Sequence, residues 1–223
     1  MRPARNDKII VMKQLSDVVY RHGQALYINL TNRCPNACVF CMKNSWAMRY
    51  RGYNLDLADN EPAAAYIISE LKRQTAEKTA EEIVFCGYGE PFYKLDVLLE
   101  AAAVAPSLPG KPKVRVNTVG LGNLIAGKDV TPRLKGLLDT ICVSVNTASP
   151  KQWLEIVRPQ PSFREAGFES VCDFVRKCTK QVPNTVVTAV EYPSVDIAAV
   201  RKLAAELGAG FRAREYMPDY QAQ

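Results

Sequence analysis

The chain has 223 residues, 48% of them hydrophobic and 23% charged, with 29 Lys and Arg against 23 Asp and Glu for a formal net charge of +6. That length and balance suit one well-buried α/β domain, and no stretch approaches the roughly 18 consecutive apolar residues of a membrane helix. The basic residues are scattered and not interleaved with aromatics, so the excess reads as a solvated surface and not as a nucleic-acid site.

In chain order, residues 1–24 form a lead-in whose apolar run, IIVM, is short and is followed by no small-residue cleavage pattern, which argues against a secretory signal. It is expected to be amphipathic and to pack beneath a single domain spanning 25–223. Strands are predicted at 25–30 (ALYINL), 82–87 (EIVFCG), 113–117 (KVRVN), 140–146 (TICVSVN), 185–192 (TVVTAVEY) and 210–216 (GFRAREY), all apolar or β-branched runs of buried-strand length. Helical patterns lie between them: from Glu61 (EPAAAYIISELKRQ), from Leu95 (LDVLLEAAAV), a short one from Thr131 (TPRLKGLL), from Phe163 (FREAGFESVCDFVRKC) and from Asp196 (DIAAVRKLAAEL). Asp59 ahead of Pro62, Thr131 before Pro132 and Gly208 after Leu207 supply start and stop signals.

Strands alternating with helices imply a parallel sheet. Six such units fall short of the eight of a closed barrel, so the expected fold is α/β, a partial (βα)6 TIM-like barrel with a gap along one side. Chemistry in such folds gathers at the C-terminal strand ends, and there lie the cysteine loop after the first strand, GYGEP after the second, NTVG after the third and NT closing the fourth.

Seven cysteines, an odd number, with a single histidine and no signal peptide, fit a reducing, cytoplasmic setting in which thiols stay free or bind metal. Cys34, Cys38 and Cys41 stand in the spacing CxxxCxxC. Soft thiolates select iron–sulfur clusters or zinc, and electron-transfer clusters ordinarily take four of them. Three ligands leave a coordination vacancy at which a small molecule can bind and be reduced. The alternative is structural zinc, with Cys86 as a fourth ligand. Cys142, Cys172 and Cys178 read as buried small hydrophobes, and the last two, six apart on one helix, cannot face each other.

CPNACVFC after a first strand, in this strand–helix array, resembles the radical S-adenosylmethionine (SAM) superfamily, and the likeness extends over nearly the whole chain. It implies that Cys34, Cys38 and Cys41 hold a four-iron, four-sulfur (4Fe-4S) cluster whose open iron takes the amino and carboxylate groups of SAM. Reductive cleavage then gives a 5′-deoxyadenosyl radical that abstracts hydrogen from a substrate. By the same resemblance Phe40 lies beside the adenine. GYGEP is similar to the family's GGEP, so Gly87, Tyr88, Gly89 and Glu90 inherit the contact to the methionyl amino group, with Tyr88 in a glycine's usual place. Asn117, Thr118, Ser144 and Asn146 would meet ribose hydroxyls and carboxylate, Arg158 of VRP the carboxylate, and Met217 the adenine. Ser144 and Asn146 share a strand face by the period of two.

LYINLTNRCPNACVFC, FCGYGEP, RVNTVGLGNLIAGKDVTP and SVNTASP further resemble the small radical SAM proteins associated with TatD-type hydrolases. The resemblance implies an electron donor such as flavodoxin or ferredoxin. An uncapped barrel mouth suggests a macromolecular substrate or closure by a second copy. Substrate and hydrogen-abstraction site are not assigned by the sequence. Two other readings share these motifs: a cluster-bearing electron-transfer module that does not cleave SAM, and an activator that forms a glycyl radical on a partner. Residues 42–58, rich in Trp, Tyr and Arg, either cover the cluster or form a surface loop.

Overall fold

A computed structural model describes residues 16–58 and 60–218. The predicted Asp59 cap and the first part of the lead-in, residues 1–15, lie outside them. Strand β1 (Val19–His22) turns through Gly23, at φ +60°, into β2 (Ala25–Ile28). A short helix α1 (Met42–Ser45) and a small hairpin, β3 (Arg49–Tyr50) and β4 (Tyr53–Asn54), follow the cysteine loop. Then come α2 (Ala64–Glu77), β5 (Glu82–Phe85), α3 (Leu95–Ala102), β6 (Lys113–Thr118), α4 (Gly122–Ala126), β7 (Thr140–Ser144), α5 (Pro150–Val157), α6 (Gly167–Cys178), β8 (Asn184–Val190), α7 (Ile197–Glu206) and β9 (Gly210–Arg214).

The main sheet runs β1-β2-β5-β6-β7-β8-β9; the six predicted strands pair in parallel, and β1 is added antiparallel on the edge of β2. Among the described residues β1 and β9 remain edges, so the barrel is open, as the unit count implied. The strand β1 corrects the lead-in expectation, since residues 19–22 belong to the sheet.

Alternation along the strands divides core from site. Ile28, Ile83, Phe85, Val116, Ile141, Val143 and Val187 are fully buried in the layer shared with the helices. The other face turns inward and carries polar groups, among them Glu82, Arg115, Asn117, Ser144, Thr188, Arg212 and Arg214. Arg115 meets Glu82 at 2.7 Å and Asn117 at 2.9 Å. The helices bury one stripe each: Ala64, Ile67, Leu71 and Thr75 on α2 follow the helical period, and Val171, Val175 and Cys178 do so on α6.

The helix predicted from Thr131 is reduced to a 3-10 turn at Thr131–Leu134, because Gly136 at φ +75° ends it. The helix predicted from Phe163 starts at Gly167, and that from Glu61 starts at Ala64. Helix α5 was not predicted, although Ser149 caps it, accepting from the Gln152 amide at 3.3 Å, and Pro150 occupies its first turn.

Candidate active site at the C-terminal strand ends

The strand ends enclose a cavity of about 520 Å³. Cys34, Cys38, Phe40 and Cys41 line it from the loop after β2, Gly87, Tyr88, Gly89 and Glu90 from the turn after β5, Asn117 and Thr118 from β6, Ser144 from β7 and Asn146 from just beyond it, and Met217 from beyond β9. Every candidate named from the sequence reaches this wall except Arg158. Cys86, Lys43, Arg212, Arg214, Glu215 and Tyr216 also line it.

The cysteine loop is braced from across the barrel. The Ala37 and Val39 amides donate to the carbonyls of Arg158 (3.0 Å) and Ile156 (2.9 Å), and the Gln160 amide donates to Pro35 (2.8 Å). Gln160 Nε2 adds a bond to the Cys34 carbonyl at 3.1 Å. Arg158 adopts a left-handed conformation, φ +50°, as it ends α5, and this turns its carbonyl toward the loop. Its guanidinium is on the outside, with Nε 3.4 Å from the Glu155 carbonyl. The expected carboxylate contact therefore has no geometric support: the VRP segment acts through its backbone.

The chain entering the loop is held by Glu61, which receives Thr31 Oγ1 at 2.5 Å and Arg33 Nε at 2.8 Å, with Lys94 Nζ at 3.3 Å. Partial burial pushes the Glu61 pKa up, but Arg33, Thr31 and Lys94 outweigh it and keep the carboxyl below its ordinary value. In the sequence Glu61 marks only the start of a helical pattern.

The glycines of GYGEP are required for close approach, not for positive φ. A Cβ on Gly87 would lie 2.0 Å from Asn29 Oδ1, and one on Gly89 2.2 Å from the Thr31 carbonyl oxygen. Between them Tyr88 turns into a second cluster with Tyr20 and Leu55 and donates to the Arg49 carbonyl at 2.6 Å. Tyr20 is 4.8 Å from Tyr53 between ring centroids, and Trp46 stacks on Tyr50 at 6.0 Å. The segment 42–58 is thus a packed aromatic wall, with Met42 and Lys43 in the cavity lining.

Glu90 is fully buried. Its Oε1 accepts from the Phe92 amide (3.0 Å) and Thr118 Oγ1 (2.8 Å), and its Oε2 from the Val119 amide (2.7 Å). It staples the β5 turn to the end of β6. Burial raises its pKa to about 7 against the lowering pull of those three donors.

Burial lifts Cys34 to about 12, and lifts Cys38 as well, with Cys34 and Cys41 adding repulsion against its thiolate. All seven cysteines are free. Without a cation Cys34 and Cys38 remain protonated, whereas a bound metal centre would hold its cysteine ligands as thiolates. Among the described residues no three His, Cys, Asp or Glu side chains converge to hold a metal ion. The loop thiols instead share the wall of one cavity, and a donor set of three soft sulfurs fits an iron–sulfur cluster in chemistry.

Phe40 packs against Tyr192 at 5.9 Å, and Tyr192 against Tyr216 at 5.2 Å, forming an aromatic side to the cavity next to Met217. The strand predicted over 140–146 stops at Ser144; Asn146, two residues beyond β7 at φ +68°, lies in the left-handed region and so does not continue the strand face of Ser144. Arg214 Nη2 donates to Ser144 Oγ (3.2 Å) and Asn146 Oδ1 (3.3 Å). No sequence motif singles out the two arginines of β9, which stand in a segment that reads only as a strand.

An open parallel α/β barrel with thiols at its C-terminal mouth defines a class of cluster-dependent enzyme. The radical SAM superfamily profile matches residues 28–207, and the chain belongs to that superfamily. Its members are enzymes that bind a 4Fe-4S cluster and SAM. The structure resembles a radical SAM methyltransferase from Sphaerobacter thermophilus (TM-score 0.54, 13% identity, 88% of this chain and 68% of that one). It also resembles the FeFe-hydrogenase maturase HydG from Carboxydothermus hydrogenoformans (TM-score 0.57, 19% identity, 89% of this chain and 47% of that one). A third likeness is to the radical SAM methyltransferase TsrM from Kitasatospora setae, solved with cobalamin and a [4Fe-4S] cluster (TM-score 0.52, 17% identity, 81% of this chain and 32% of that one). At these identities the likeness is one of fold. No curated protein matches the chain.

Proposed function

We propose that Cys34, Cys38 and Cys41 hold the cluster, and that the protein binds SAM on the open iron and directs hydrogen abstraction from a substrate. The observation that carries this reading is that the three loop thiols share one cavity with the polar strand ends of β5, β6 and β7. When bound, the cluster and SAM together supply a 5′-deoxyadenosyl radical.

The chain's own residues bind, orient and shield. Phe40 and Met217 offer apolar faces to the adenine. The Gly87–Gly89 backbone offers an uncovered edge to the methionyl amino group, and Glu90, whose oxygens already accept three bonds, fixes that edge. Asn117, Thr118, Ser144 and Asn146 supply hydrogen bonds to ribose and carboxylate. The wall formed by 42–58 limits water on one side. An electron donor such as flavodoxin or ferredoxin, and a macromolecular substrate or a second copy at the open mouth, complete the proposal; the subgroup likeness to TatD-associated proteins belongs with it.

Anaerobic reconstitution with iron and sulfide, reduction with dithionite and assay of 5′-deoxyadenosine test it. The expected outcome is SAM-dependent product from the wild type and none from Cys34→Ala, Cys38→Ala or Cys41→Ala. Cluster formation without product contradicts the reading.

One observation favours a second reading: Cys86 lines the same cavity, so a four-thiol electron-transfer site has a fourth candidate. Cys86→Ala separates the two. Retained iron, sulfide and SAM cleavage support the enzyme, and loss of the cluster supports the electron-transfer module. Stoichiometric zinc in a colourless protein supports neither.

A further inference from the structure

The inward face of the sheet has an unbalanced charge. Of its three arginines, Arg115 is neutralised by Glu82 on the neighbouring strand at 2.7 Å. Arg212 and Arg214, on one face of β9 by the period of two, have no ion-pair partner among the described residues; Glu215 lines the same cavity without pairing to either. The register sets Ser144, Thr188 and Arg212 in one row across β7, β8 and β9, with Arg214 one step nearer the cavity mouth.

Their donors are largely unspent. A guanidinium has five N–H donors. Arg214 places Nη2 on Ser144 and Asn146, two strands away, and its Nε is closed off from solvent with no hydrogen-bond partner. Arg212 is exposed and among the described residues reaches only Cys142 Sγ, at 3.6 Å, a weak acceptor, leaving its other donors open to the cavity and solvent. Neither guanidinium is neutralised by a described residue, and both line the cavity, so the pair is completed by an anionic acceptor that enters it. The guanidinium geometry favours a planar or tetrahedral oxyanion over a lone point charge.

We infer that Arg212 and Arg214 form an oxyanion subsite for the substrate, so that the molecule acted on carries a carboxylate or phosphate group. This deepens the proposed function and rests on it for placing the substrate in this cavity. The subsite would orient the substrate by its acidic group, in the manner of a charge clamp.

The test uses the reconstituted protein with inorganic phosphate and with succinate as separate probes, read by calorimetric titration and by melting temperature. The expected result is saturable binding of at least one probe to the wild type, weakened by at least about tenfold in Arg212→Gln and Arg214→Gln, with Arg214→Lys in between. Which probe binds distinguishes phosphate from carboxylate. SAM titrated in saturating phosphate or succinate should keep its affinity, since the inference assigns the arginines to the substrate. Absence of binding to the wild type, equal binding to the glutamine variants, or competition between probe and SAM would each overturn it. Should a variant not fold, the wild-type titration and the competition still decide. A protein that forms 5′-deoxyadenosine but binds neither probe refutes the subsite alone, whereas one that forms none refutes the reading beneath it.

Discussion

Glu90 shows how a single residue changes meaning once its neighbours are known. In GYGEP it reads as a ligand contact, and in the fold its oxygens also accept from two amides and a threonine hydroxyl. Burial outweighs those donors and raises its pKa from 4.5 to about 7. The folded state then holds a proton that the unfolded chain releases above about pH 4.5. The associated stability is fully present below that pH and lost as pH rises through about 7. At about 1.4 kcal/mol per pKa unit, the loss for the cluster-free protein is of order 3 kcal/mol. Denaturant unfolding of wild type and Glu90→Gln across this window checks it: the wild-type curve should fall relative to the variant, and parallel curves would remove Glu90 as the cause. The same residue-level logic applies to Arg158, whose value lies in a carbonyl that receives the Ala37 amide, a role invisible in the letter R.

At the scale of elements, the loop of thiols is positioned by three pieces of backbone: the Thr31–Arg33 entry against Gly89, the 156–160 brace after α5, and the aromatic hairpin pinned by Tyr88. Gly89→Ala would drive a Cβ to 2.2 Å from the Thr31 carbonyl, a backbone atom with little room to move. The expected cost is about 1–3 kcal/mol together with lower iron content after reconstitution. Tyr88→Phe keeps the ring and removes the hydroxyl that donates to the Arg49 carbonyl, so it should cost about 1 kcal/mol and leave iron content near wild type. The reverse order of iron contents would show that the hydroxyl, and not the close approach, sets the loop.

The six parallel strands were legible because ALYINL, EIVF, KVRVN, TICVS, TVVTAV and FRAR are apolar or alternating runs bounded by turns. Strand β1 was not, because VYRH alternates weakly and gains its place by pairing with β2 across Gly23. Helix α5 is hard to read despite its Ser149–Pro150 start, since PKQWLEIV is short and follows the site motif directly. The thiol loop and the strand-end polar residues could be read from spacing. Glu61, Arg212 and Arg214 could not, because their partners lie across the fold, 28 residues away for Glu61 and Arg33 and 70 for Arg214 and Ser144.

For the molecule as a whole, the open sheet and the position of the cavity have one source. The six parallel strands do not close, so the strand ends of β2 and β5–β9 share a wide mouth into which the cysteine loop folds. Among the described residues no helix is long and apolar enough to cross a membrane. The chain spans about two thirds of the S. thermophilus methyltransferase and less than half of HydG and TsrM, so what it shares with them is the barrel that carries the cluster loop. The central claim is that protein thiols occupy three corners of the cluster and leave the fourth for SAM. Mössbauer spectroscopy of the iron-labelled, reconstituted protein, before and after SAM is added, tests that directly. The account predicts that one iron site shifts toward a higher coordination number while the other sites stay unchanged, and that Cys86→Ala behaves identically. A spectrum in which no site responds to SAM, with every iron bound by protein sulfur, would contradict it.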